Sequence, residues 1–195
     1  MVNPLNKHCY FNPDANPTMM LPEPPKDAFE LPFEVIREGW SIYKTKGDAL
    51  VRLKHILLKL LVMGITEDGV AQIAMGSNVI VASTVPASMK GSPSSQAYTL
   101  EQIAKAITEP DLPFETVKEE WNEYNASGTK VSIKVVATAI SKTSLIDQTG
   151  DPIYYVNYQS LFKSFSTPQD REKFLKLKRE RNLPSPTTFA PAKAP

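Results

Sequence analysis

The feature that most constrains this chain is that it repeats itself. Residues 31–47 open with Leu31-Pro32-Phe33-Glu34 and run through Trp40 and Tyr43 to Gly47. Eighty-one residues on, Leu112-Pro113-Phe114-Glu115 leads through Trp121 and Tyr124 to Gly128. Eight of the seventeen aligned positions are identical, and they include both tryptophans of the protein. At the same offset Ile65 matches Ile146 and Gly69 matches Gly150. A self-match of this kind reads as one supersecondary unit used twice, so each copy helps to interpret the other.

Within the repeat, Phe114, Val117, Trp121 and Tyr124 fall at i, i+3, i+7 and i+10, as do Phe33, Ile36, Trp40 and Tyr43. That spacing predicts an amphipathic helix with Trp40 and Trp121 as core anchors. Gly39 weakens the first of these helices by about 1 kcal/mol, which leaves a strand from Phe33 to Tyr43 as the alternative. Residues 49–63 are contested. Their leucine content favours helix, whereas the matching stretch from Lys130 to Val135 alternates with period two and reads as a strand. Val79 to Val85 and Ile153 to Tyr158 are β-rich. Thr99 with Gln102 forms a capping box, and Thr167-Pro168-Gln169-Asp170 opens a helix that should run to about Asn182. The expected class is therefore α+β, with mixed helices and antiparallel strands in a tandem helix–strand–strand–helix unit.

Proline placement divides the chain. Seven of the 17 prolines lie in residues 1–32 and four in 184–195, and proline resists both helix and sheet. The expected organisation is a flexible arm over 1–30, repeats over 31–111 and 112–183, and a disordered tail over 184–195. Pro22-Glu23-Pro24-Pro25 matches a PxxP ligand formally and reads better as linker. The N-terminus lacks the apolar run of a signal peptide. The longest apolar stretch, Ile56 to Gly64, is interrupted by Lys59 and is too short to span a bilayer. A cytoplasmic, intracellular protein is expected.

Composition removes several function classes. With 22 Lys+Arg against 21 Asp+Glu the net charge is +1, which excludes a globally basic nucleic-acid coat. One cysteine excludes a disulfide framework and a multi-cysteine zinc site. The eight glycines form no phosphate-cradling loop, and no HExxH or EF-hand pattern occurs. His8 and Cys9 are adjacent in the arm and read as ordinary residues. No metal or cofactor is expected. His55 is the one candidate for catalytic work, and only if a hydroxyl and a carboxylate fold against it. On a helix it would share a polar face with Arg52 and Lys59.

Charge is instead local. The last helix carries Arg171, Lys173, Lys176, Lys178, Arg179 and Arg181 beside a narrow apolar face, a pattern suited to a partner or to RNA phosphates. Arg52, Lys54 and Lys59 form a second basic set that allows peripheral membrane contact. The helix–strands–helix plan resembles double-stranded-RNA-binding domains, although the lysine-rich helix start of that family is absent after Thr99 and loosely met after Thr167. Ser127 to Val131, Phe165-Ser166 and Arg171-Glu172-Lys173 resemble the C-terminal strand and helix of rhabdovirus matrix proteins. The basic arm and PPxY motif of that family's animal-virus members are missing here. The leading expectation is a non-enzymatic structural or assembly protein, viral matrix-like, that associates with itself and with a protein or nucleoprotein partner. The alternatives are an RNA-binding module using residues 171–181, with Tyr154, Tyr155 and Tyr158 as stacking groups, and an enzyme with His55 in its site.

Overall fold

A computed structural model describes residues 10–11, 27–181 and 183. Most of the arm, with His8, Cys9 and Pro22 to Pro25, and the tail from 184 lie outside the described residues. The chain forms two antiparallel sheets. Its strands are β1 (Tyr10–Phe11), β2 (Phe29–Glu30), β3 (Glu34–Arg37), β4 (Ser41–Thr45), β5 (Leu50–Ile65), β6 (Ala71–Thr84), β7 (Ile107–Glu109), β8 (Phe114–Lys118), β9 (Asn122–Ala126), β10 (Thr129–Ile146) and β11 (Pro152–Phe165). A 3-10 turn spans Ala87–Met89, and the α-helices among the described residues are α1 (Leu100–Lys105) and α2 (Pro168–Arg181). One sheet has the order β1-β6-β5-β4-β8 with β2 also on β5; the other is β11-β10-β9-β3 with β7 also on β10.

The architecture is thus mainly β, and the expected α+β class with helix-led units is overturned. Residues 33–43 and 114–124 are not helices. Each forms two short strands separated by a three-residue connection, and each first strand carries a bulge. The register skips Ile36 against β9 and Val117 against β4. A bulge followed by a break stretches the period-two pattern until its apolar residues fall at helical spacing. The 49–63 helix is overturned for the same reason. In β5 the inward residues are Val51, Leu53, His55 and Leu57, and a bulge between Leu57 and Lys59 then moves the inward face to Leu60 and Val62. Clean alternation is hidden by that change of phase. The capping box at Thr99 does form, with Gln102 as its partner, and Thr167 caps α2 through Asp170.

Elements at the repeat offset occupy reciprocal places. The two stretches exchange their first strands: β3 pairs with β9, and β8 pairs with β4. The connections cross where the Gly39 amide donates to Asn122 Oδ1 at 2.8 Å. Phe33 meets Tyr124 edge-on at 5.6 Å, and Phe114 meets Tyr43 edge-on at 5.5 Å. One buried cluster gathers Leu57, Leu60 and Val62 around Tyr124; the other gathers Ala137, Ile140 and Tyr154 around Tyr43. Reciprocity of this kind is what an approximate two-fold axis produces. Neither core forms without strands from both stretches.

The two tyrosines close the bulges. Tyr43 Oη accepts from the Ala137 amide at 3.0 Å and donates to Glu119 Oε1 at 3.0 Å. Tyr124 Oη donates to Glu38 Oε1 at 3.1 Å and is bonded to the Leu57 backbone. Leu57 and Ala137 are the residues at which β5 and β10 break register, so each hydroxyl meets a backbone group at a break in the ladder. Glu38 is held in turn by Lys54 at 3.0 Å and Glu119 by Lys134 at 2.9 Å. Burial, with the acceptor carboxylate adding to it, pushes the Tyr43 phenol up to about 12 and raises Tyr124 likewise.

Candidate functional site

The basic residues of α2 stay largely at the surface, Lys178 alone being half-buried, and most of them have an acidic or aromatic neighbour. Lys178 pairs with Glu67 at 2.6 Å and Arg171 approaches Asp68 at 3.9 Å, tying the helix to the β5–β6 turn. Lys173 pairs with Asp170 and Lys176 with Glu180 along the helix. The Arg181 guanidinium lies 4.5 Å from the centre of the Phe29 ring. Arg179 is exposed. Phe174 is buried and Leu177 packs beside it, so the narrow apolar face is the helix's anchor. A shallow cleft of about 210 Å³ separates α2 from residues 29–32, lined by Phe29, Leu31, Phe174, Leu177 and Arg181 among others. Its Asp170 and Lys173 are already paired with each other.

The second basic set is likewise partnered. Arg52 lies 5.5 Å from the Trp40 ring and donates to Thr84 Oγ1 at 3.1 Å. Lys54 pairs with Glu38, and Lys59 with Glu30 at 3.3 Å. Arg52 and Lys54 alternate with inward residues of a strand, so they share no helical face with His55. Trp40 and Trp121 are half-buried rather than among the buried core residues. Trp121 is approached by Lys134 at 5.6 Å and Lys163 at 3.9 Å. Tyr154 is buried and Tyr158 packs against the Tyr43 cluster, which leaves Tyr155 as the least engaged of the three stacking candidates.

His55 is 1% exposed, and neither ring nitrogen has a hydrogen-bond partner. Burial holds its pKa down to about 4 against a weaker opposing pull from Glu38. Asn122 Nδ2 donates to the His55 carbonyl just as Ser41 Oγ donates to the Val135 carbonyl. His55 thus takes the place that Val135 fills in the other stretch. Among the described residues no hydroxyl is hydrogen-bonded to its ring, so a nucleophile–base pair is not among the contacts His55 makes. Among the described residues, no group of three His, Cys, Asp or Glu side chains could hold a metal ion, and no helix is long and apolar enough to cross a membrane.

What sequence reasoning missed is the outer surface of β3 and β8. Among the described residues each strand is the last of its sheet, and every residue of β3 and all of β8 except Phe114 is exposed. Val35, Ile36 and Val117 are 57%, 58% and 56% exposed. The signal was present in the sequence: Glu34-Val35-Ile36-Arg37 and Glu115-Thr116-Val117-Lys118 both bracket β-branched residues with an acid before and a base after. Reading those residues as one stripe of a helix concealed it. Compared with protein-family models, curated proteins and solved structures, the chain matches none.

Proposed function

We propose that this protein is a non-enzymatic structural or assembly protein that works by binding copies of itself. The observation that carries the reading is the pair of terminal strands, β3 and β8, that no other described residue covers. An edge strand with outward apolar side chains is a template for another chain, and here two such strands occur in matching places. The bulges at Ile36 and Val117 shorten any backbone ladder that could be added, so contact rests on side chains. Burying a half-exposed Val or Ile contributes about 1 kcal/mol, while association costs at least about 4 kcal/mol. Across two copies β3 buries four such side chains, which about offsets that cost, and β8 two, which does not, so each contact also needs the flanking charge pairs, is weak and reversible, and depends on concentration. The basic helix has a structural part in this reading, since its cations hold it to the β5–β6 turn and to Phe29.

Light scattering across protein concentration, at low and high salt and with and without short RNA, tests the proposal. Mass that grows with concentration and ignores RNA, and that falls only modestly in salt as the flanking charge pairs are screened, is the expected result. A monomer at every concentration would remove the proposal. Mass gained only with RNA at low salt would replace it with the RNA-binding alternative, because phosphate contacts weaken steeply with ionic strength.

A further inference from the structure

We infer that the occupant of each bare strand is the same strand of a second copy, lying antiparallel to it, so that every molecule has two contacts and assembly is open-ended. The inference rests on the self-association proposed above and adds its geometry. The argument is charge order. In β3 the sequence is Glu34, Val35, Ile36, Arg37. Laid antiparallel on a copy of itself about an axis between Val35 and Ile36, it places Glu34 opposite Arg37 of the second molecule and Val35 opposite Ile36. In β8, Glu115 falls opposite Lys118 and Thr116 opposite Val117 in the same way; Lys118 also pairs with Glu120 at 2.9 Å and Arg37 donates to the Trp121 carbonyl at 3.2 Å, so the new pairs share those cations rather than claim free ones. A parallel arrangement in register would set like charges side by side, which is unfavourable. Pairing of like strands about a two-fold is isologous, the commonest form of closed contact. Because β3 and β8 end different sheets, each pair has its own two-fold axis in this scheme, and the second strand remains available to a third molecule. β3 offers two apolar side chains and β8 one, so the β3 contact forms first as concentration rises.

The test uses full-length protein with Ile36→Lys, Val117→Lys and both together, with far-UV circular dichroism to confirm the fold and light scattering to read mass. Both positions are exposed, so the sheets should survive. Wild type is expected to pass beyond a dimer, each single variant to stop at a dimer and the double variant to stay monomeric. Single variants that are both monomeric would overturn like-with-like pairing in favour of β3 against β8. A wild type that stops at a dimer would overturn the two-contact scheme while leaving self-association standing. A double variant that still assembles would move the contact elsewhere. A wild-type monomer would remove both this inference and the proposed function. Charge order has its own check: Glu34→Arg should weaken the β3 contact, and Glu34→Arg with Arg37→Glu should restore it. Failure of that rescue would refute the pairing.

Discussion

His55 should make this protein acid-sensitive well above the carboxylate range, and replacing it with valine should remove the sensitivity. The buried imidazole titrates near 4, against 6.5 when unfolded. The unfolded chain therefore takes up a proton as pH falls through 6.5, while the folded chain stays neutral. Stability is full above about pH 7.5, falls by up to 1.36 kcal/mol per pH unit below 6.5, and levels off below 4. The loss is about 2 kcal/mol at pH 5 and about 3 kcal/mol at the plateau. Two aspartates with lowered pKa, Asp68 and Asp170, titrate below their ordinary 3.8, so the window between pH 7.5 and 5 isolates the histidine. His55→Val copies the solution at Val135 and also removes two unpaired ring nitrogens, each of which costs roughly 1–3 kcal/mol when buried. Urea titrations of both proteins at pH 7.5 and 5 measure the effect. The variant should be at least as stable as wild type at pH 7.5, and its advantage should widen by about 2 kcal/mol at pH 5. Parallel losses in the two proteins would refute the assignment.

Two further predictions concern the repeat. Tyr43→Phe and Tyr124→Phe should each cost about 1–3 kcal/mol, because each leaves a buried backbone group at a bulge without its hydroxyl. Urea midpoints should show the two losses to be similar. Gly69 has φ +80°, and a Cβ there would lie 2.5 Å from the Arg171 carbonyl oxygen. Gly69→Ala should therefore lose about 1–2 kcal/mol from left-handed strain alone and should raise amide exchange in α2 ahead of the strands.

How much of this was legible in the sequence depended on whether a signal survived local irregularity. The capping residues Thr99 and Thr167 were readable because a cap depends on three or four neighbouring residues. The strand runs at 79–85, 130–135 and 153–158 were readable because they are β-branched or alternate cleanly. The bulged segments were not. At Ile36, Leu58 and Val117 one extra residue shifts the inward face, and leucines tallied across that shift look helical. His55 was assigned to a polar face for this reason and lies in the core instead. The exchange of β3 and β8 was beyond local reasoning altogether. It joins residues about eighty apart, and nothing in either strand alone says which sheet it will close.

The two stretches can also be compared as two trials of one scaffold. Ordinarily a core position resists change, because packing and polar satisfaction punish it, while an exposed position is free to drift. Here the order is partly reversed. His55 and Val135 share a buried place and differ completely, while Ser41 and Asn122 at the crossing differ in size but both donate to the reciprocal carbonyl. The segments capping the two ends differ as well: Asp170 and Arg171 of α2 sit against Gly128 and Gly69, whereas Met89 and Gly91 sit against Gly47 and Gly150. Yet the exposed strands keep Glu34 with Glu115, Ile36 with Val117 and Arg37 with Lys118, and change only Val35 to Thr116. No core requires those side chains. An acid, an outward β-branched residue and a base retained in order on both bare strands are more simply explained by what lands on those strands than by the sheets behind them.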